Sequence, residues 1–524
     1  MKKLPISNSV FKRVIEENNC YVDKTKYVKM LEDYPSIYFF LSRPRRFGKT
    51  LFLDTLRAAY AGEKELFENL YLEKNWDWTK KHPIISISFG SGTLRNEKEL
   101  FLRLESLLEA NANKYKVLLT QELISDKFEE LISKLYAKFN LRVVVLIDEY
   151  DKPILDNITK PVAKTMRDGL SSFYSVLKDA NQYLKFVFLT GVSRFSKTNI
   201  FSKLNNIIDL SLNKDYGNIC GYTQIEMEKV FKEYLFGVNL KTVKEWYDGY
   251  NFLGNDVYNP FDILLFLVDK SYKPYWFQTG TPTFLLDLIK EKKYYLPYLD
   301  KVELTELQLE EFDIDMIQLE VLLFQTGYLT IKKAYREGHL DLYELSIPNK
   351  EVQIGLNEYL SRMFFAPGEN NLKQKTQLSR TIYRSLYNKN PAILEDSFKA
   401  FFESVPHDWY RKNDIANYEG YYNCVFYTFF TALGETVIPE DSTKKGDIDM
   451  AVITDEAVFI FEFKMKTNPQ NAMQQIKNKG YYKKYLNDKK EIFLVGIEFD
   501  EKIKNISEFE WEELKIVSAQ NKGK

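Results

Sequence analysis

Residues 42–50, SRPRRFGKT, follow the apolar run Ile37–Leu41 and precede a helical pattern that begins at Leu51. A strand running into a basic loop that ends Gly-Lys-Thr, and then into a helix, gathers backbone N–H groups and a helix N-terminus around a phosphate. Lys49 is placed to reach terminal phosphates and Thr50 to hold Mg²⁺, with Arg46, Phe47 and Gly48 forming the rest of the cradle. Arg43 stands where the motif has a glycine. Taken alone, the stretch reads equally well as a basic surface turn.

A second stretch, VVVLIDEYD at Val143–Asp151, changes that balance. Its apolar, mostly β-branched residues predict a strand buried on both faces of a parallel sheet, with a carboxylate pair where the strand ends. Ligands of open α/β sheets lie at the carboxyl ends of strands. Asp148 is therefore expected to bind Mg²⁺ and Glu149 to polarise the water that attacks a γ-phosphate. A further buried strand, Phe186–Thr190, runs into TGVSRFSKTNIF and brings Thr190, Ser193 and Arg194 to the same edge. There Ser193 could sense the γ-phosphate and Arg194 could stabilise charge on the transferring group, although an ordinary polar loop accounts for both residues as well.

The last part of the chain holds a separate set. GDIDM places Asp449 between apolar neighbours in one predicted strand, and FIFEFKM places Glu462 and Lys464 two apart in the next. Period-2 alternation sends Glu462 and Lys464 to one face and Phe461, Phe463 and Met465 to the other. Charges inside apolar strands cost free energy unless partnered or used. Two carboxylates on adjacent strands make an oxygen cage for Mg²⁺, and a lysine beside them can orient water or neutralise a pentavalent phosphate, which is metal-assisted phosphodiester hydrolysis. An ExK in a strand with one wet face is the bland alternative. Gln475 follows on the next predicted helix, with Lys477, Lys479, Lys483, Lys484, Tyr481, Tyr482 and Tyr485 offering a surface able to track a nucleic-acid backbone, or simply a solvated face.

Positioning these groups requires several domains. The chain has 524 residues, 45% hydrophobic and 28% charged, too long for one core, and its net charge of −1 leaves nucleic-acid contact to local patches. Three scattered cysteines and three isolated histidines give neither metal-ligand spacing nor a disulfide framework, so a cytoplasmic location is expected. No signal peptide and no membrane span is read, because apolar runs such as Ile263–Val268 are far too short. The predicted fold class is α/β multidomain. Residues 1–220 form a P-loop NTPase core with a parallel sheet, 221–348 a helical lid with a small β-element, 349–405 a helical connector, and 406–524 a restriction-endonuclease-like αβββαβ domain. The last unit reads as a helix over Tyr418–Leu433, strands over Thr436–Pro439, Asp447–Thr454 and Ala457–Met465, a helix over Asn468–Leu486 and a strand over Glu491–Gly496. In the middle region, helices are expected over Phe261–Val268, Thr283–Ile289 and Met316–Phe324.

YVDKT, RPRRFGKT, LIDEYD, TGVSRFSKTNIF, WYDGYNF, VYNP and LFQTGYLT, in this order, resemble the AAA-ATPase-like proteins whose C-terminal domain belongs to the PD-(D/E)xK nuclease superfamily. The resemblance implies an ATPase using Lys49 and Thr50 at the phosphates and Mg²⁺, with Asp148 and Glu149 as its acidic pair. It also implies nuclease residues Asp449, Glu462 and Lys464, with Gln475 and Glu419 in support. Such nucleases often read Gly-Arg-x-Asp where this chain has Asp447 in place of the arginine. The cofactors implied are ATP and Mg²⁺, and the partner implied is DNA or RNA, with self-assembly left open. The competing expectation is a nucleotide-dependent switch whose inactive nuclease-like domain only binds nucleic acid or a protein.

Overall fold

A computed structural model describes residues 1–194, 204, 206–279, 299, 302–310, 318–361, 369–404, 419–443, 446–468 and 471–514. By contact the chain divides into two compact units, Met1–Leu285 with Asp300–Glu351, and Leu286–Leu299 with Val352–Lys524.

The first unit is built on a parallel sheet of β1 (Tyr38–Ser42), β2 (Ile84–Ser88), β3 (Val143–Asp148), β4 (Leu184–Gly191) and β5 (Ile208–Asp209), in the order β2-β3-β4-β1-β5. Every residue of β1 and β3 is buried, as uninterrupted apolar strands demand when helices cover both faces. Helices Lys49–Tyr60, Glu97–Lys114, Ile124–Phe139 and Val162–Asp179 provide that cover. β4 separates the strand of the phosphate loop from the strand of the acidic pair, and β2 is carried to the sheet edge.

The same unit continues into a mainly helical region. Helices Gln224–Val230, Leu240–Tyr247 and Pro260–Asp269 close over a core that includes Phe231, Tyr247, Tyr258 and Phe266. The short strands β6 (Tyr222–Thr223) and β7 (Val257–Tyr258) pair antiparallel. A three-stranded antiparallel sheet follows, with β8 (Val302–Thr305), β9 (Thr330–Glu337) and β10 (Leu340–Ser346) in the order β8-β10-β9. The helix expected at the FQTG motif is Leu319–Thr326, and the one expected over 283–289 lies outside the described residues.

The second unit centres on a five-stranded sheet in strict chain order: β11 (Thr436–Thr443), β12 (Gly446–Ile453), β13 (Ala457–Met465), β14 (Glu491–Asp500) and β15 (Asn505–Glu513). Only β13 and β14 run parallel, because helix Ala472–Lys479 joins them as a crossover. That helix stops at Gly480, whose φ of 65° ends it, and 3-10 turns continue over Tyr481–Asp488. β15 follows β14 as an outer strand with Glu508, Glu510, Glu512 and Glu513 exposed. Helix Ala392–Ser404 stacks Phe398 on Phe426 of helix Glu419–Ala432, and the latter helix stacks Tyr422 on Phe499 of β14, each with centroids 3.8 Å apart. The helices of 369–404 thus belong to the core of this unit.

Candidate functional site

In the first unit the turn after β1 reverses through Arg46 and Gly48, both at positive φ (69° and 88°), and delivers the chain into the helix that starts at Lys49. Residues Arg45–Thr50 line a cavity of about 620 Å³ whose other walls include Tyr21, Glu149, Tyr222 and Phe261. Lys49 is buried and donates to the carbonyls of Arg43 and Pro44, both at 2.9 Å. Burial lowers its pKa, and the charge of Asp148 opposes that shift. Thr50 Oγ1 donates to Asp148 Oδ2 at 2.7 Å, closing the gap between phosphate loop and acidic strand. Glu149 adopts a left-handed φ of 52° directly after β3. Burial, and then the Asp148 charge, raise its carboxyl above the usual range.

The loop is anchored from below by the aromatic signature WYDGYNF. Phe47 is buried edge-on to Tyr250 (4.8 Å) and Phe252 (5.8 Å), so its backbone is what it can offer a ligand. Arg43, in the position of the missing glycine, is buried with its guanidinium over Phe252 at 4.1 Å. It donates to the carbonyls of Ser42 and Ser211, both at 2.8 Å, and of Tyr216 at 3.2 Å, while burial pushes its pKa down to about 10. An arginine is thus accommodated where glycine is usual because its side chain is taken up by carbonyls and a ring.

Two expected phosphate contacts are engaged elsewhere. Ser193 donates through N and Oγ to Asp151 Oδ2, both at 2.6 Å, and Val192 N joins at 3.0 Å. Arg194 is buried, pairs with Asp209 at 2.8 Å, and its N–H donates to Gln325 Oε1 at 2.9 Å. Neither lines the cavity, although β4 brings both to the expected sheet edge. Asp151, the third acid of DEYD, went unread in the sequence. Its spacing after Asp148 is the only local signal, since its partners Val192 and Ser193 come from β4's distant end.

In the second unit Asp449 and Glu462 lie one step beyond the paired residues Met450 and Phe461 of β12 and β13. Phe463 N donates to Asp449 Oδ2 at 2.7 Å, which fixes the two strands at this point. Lys464 Nζ lies 3.2 Å from Glu462 Oε1 and 3.8 Å from Asp449 Oδ2. Gln475 Nε2 donates to Glu462 Oε1, and the Tyr481 hydroxyl is 3.5 Å from the same nitrogen. Asn423, unread in the sequence, reaches the Asp449 carbonyl at 3.4 Å. Asp447 is exposed at the start of β12, paired with Ser442. Glu419 opens its helix, and its side chain lies outside the described residues.

Glu462 has no exposed surface, and among the described residues its Oε2 has no hydrogen-bond partner. Burial, and then Asp449, push its carboxyl up to about 8. A buried carboxylate oxygen left open beside a second carboxylate fits a hard divalent cation that takes oxygen ligands. Among the described residues no group of three or more His, Cys, Asp or Glu side chains is gathered to hold a metal. A cation here would complete its shell with water or phosphate oxygen, as Mg²⁺ commonly does.

The fold and these two clusters define a class: a P-loop ATPase-like unit and a nuclease-like sheet in one chain. The family model described as a predicted AAA-ATPase matches residues 5–201, and that of the PD-(D/E)XK nuclease superfamily matches residues 417–509. An uncharacterized protein in the vnfD 5′ region of Azotobacter chroococcum mcd 1 is 44% identical over 517 residues, covering 98% of this chain and 99% of that one. The chain belongs to this family of AAA-ATPase-like proteins with a C-terminal PD-(D/E)XK nuclease superfamily domain. The ORC1 protein of Aeropyrum pernix, solved in complex with DNA, matches over 65% of this chain and 93% of its own at 11% identity, with a TM-score of 0.25. No helix among the described residues is long and apolar enough to cross a membrane.

Proposed function

We propose that the chain binds and hydrolyses ATP with Mg²⁺ in its first unit and cleaves nucleic-acid phosphodiesters with Mg²⁺ in its second. The observation that carries the nuclease half is the buried, open Glu462 Oε2 beside Asp449 and Lys464. Asp449 and Glu462 would hold the cation, which supplies Lewis-acid polarisation of the phosphate and a more acidic bound water. Lys464, held between the carboxylates, orients a water or offsets phosphate charge, and Gln475 fixes the Glu462 carboxylate. In the first unit Lys49 exchanges its two carbonyl partners for phosphate oxygens. Thr50 and Asp148 would supply oxygens to the cation, and Glu149 would accept the proton of the attacking water. Arg46 and the backbone of Phe47 and Gly48 complete the phosphate cradle. Arg194 and Ser193 act by holding the end of β4 against Asp209 and Asp151.

In this reading residues 1–220 are the ATPase core, 221–348 its lid, and the helices from Val352 onward serve the nuclease sheet of 406–524. The chain works in the cytoplasm. The test is paired: ATP hydrolysis by the parent and by Lys49→Ala, and Mg²⁺-dependent cleavage of labelled DNA and RNA by the parent and by Glu462→Ala. Loss of only the matching activity in each variant is expected. A parent chain that hydrolyses no ATP, or cleaves neither nucleic acid, removes the corresponding half.

A further inference from the structure

The helix Ala472–Lys479 and the turns after it carry four lysines, and the structure sorts them into two pairs. Lys477 is bound to Glu512 and Lys484 to Asp441, so each has its charge met by a neighbour. Lys479 and Lys483 form no ion pair among the described residues. Their position is specific. Gly446, which opens β12 three residues before Asp449, has a φ of 130°. A Cβ built there would lie 3.3 Å from the Tyr481 hydroxyl and 3.9 Å from Lys479 Nζ. Tyr481 in turn reaches Gln475, and Gln475 reaches Glu462. Lys483 folds back over Gly480, its Nζ 3.6 Å from a Cβ built at that glycine.

Beside the carboxylate cluster, Gly446 is therefore a position without a side chain that is flanked by the Lys479 ammonium group, with that of Lys483 at the neighbouring Gly480. Glycine at such a position marks close approach by another backbone or a ligand. Asp447 and Asp449 already outweigh Lys464 in charge, so a polyanion approaching here is held better where further cations stand at the mouth. We propose that Lys479 and Lys483 grip backbone phosphates adjoining the one at the carboxylate cluster, whereas Lys477 and Lys484 do not. The inference deepens the nuclease reading of this site and rests on it for its geometry.

The test uses the full chain and fluorescence anisotropy with a labelled DNA oligonucleotide, and its RNA counterpart as a second arm, over a salt series without divalent metal. Lys479→Ala and Lys483→Ala should each weaken binding severalfold and make the slope of log Kd against log salt shallower by about 0.7 to 0.9. Lys477→Ala and Lys484→Ala should leave that slope unchanged, and Lys479→Arg should restore it. Equal losses at all four positions, parent-like binding by the Lys479 and Lys483 variants, or no binding by the parent at low salt would each overturn the proposal. Cleavage is read separately with Mg²⁺. Lysine-dependent binding by a parent that never cuts leaves this grip standing and removes the nuclease chemistry.

Discussion

Gly327 lies so close behind Pro44 that a Cβ built at the glycine would come within 2.6 Å of the proline Cβ. The turn that ends helix Leu319–Thr326 thus presses on the phosphate loop, while Gln325 of the same helix holds the backbone of Arg194 at the end of β4. Gly327 also sits at a φ of 93°. Gly327→Ala is therefore expected to cost about 1–3 kcal/mol and to weaken ATP binding by displacing Pro44. Gly338→Ala, at a φ of 60° with open space around it, should cost less and spare ATP binding. Thermal melting with and without ATP measures both, and equal effects from the two substitutions would show that the contact with Pro44 is idle.

Glu149 stands at the end of β3 beside Asp148, and it is the backbone of Glu149 that is tied into the loop, its N–H donating to Asp148 Oδ1 and its carbonyl accepting from Lys152 N, both at 3.1 Å. Glu149→Gln keeps the shape and removes the base. Turnover of ATP should fall by about 10²–10⁴-fold while affinity for a fluorescent ATP analogue changes little. An unchanged turnover rate would mean that another group accepts the proton.

Lys464 contacts both carboxylates, so its removal and that of Glu462 should converge on one phenotype. Glu462→Ala and Lys464→Ala are each expected to abolish Mg²⁺-dependent cleavage and leave ATP hydrolysis at the parent rate. If the parent binds nucleic acid in a nucleotide-dependent way and never cleaves it, the chain is a switch and the cluster is not catalytic.

Asp262 and Glu351 are both fully buried, and they interact with each other. Burial pushes the Asp262 carboxyl up to about 7 against smaller opposing effects, first of its interaction with Glu351 and then of Arg46, and it raises Glu351 well above the usual range. Tyr247 and Tyr250 lie near the pair, and Trp276 N donates to Glu351 at 2.8 Å. The folded chain keeps protons that the unfolded chain releases above about pH 4, so unfolding releases protons and stability falls as pH rises from there through 7. The melting temperature should accordingly drop between pH 5 and pH 8, and Asp262→Asn should flatten that drop. An equal slope in both proteins would place the titration elsewhere.

The sheets were legible where burial leaves a one-sided or unbroken pattern. β1 and β3 are continuous apolar runs with carboxylates or a basic loop at their ends, and β13 sets Glu462 and Lys464 against alternating phenylalanines. β15 was missed because NISEFEWEE is mostly exposed and shows little contrast between faces. The helix expected over 468–486 stops at Gly480, since the Lys and Tyr periodicity continues into the 3-10 turns and hides the break. The engagements of Arg43, Ser193 and Arg194 were not readable at all. Phe252, Asp151 and Asp209 lie 209, 42 and 15 positions away in sequence, and only the folded chain brings them together.

The exposed glutamates of β15 have a consequence for how the second unit meets other molecules. An outermost strand presents unpaired amides that invite a foreign strand to zip on, and a fringe of carboxylates makes that annexation costly. The same fringe would repel a polyanion, so any DNA or RNA taken up by this unit is expected to keep clear of that margin.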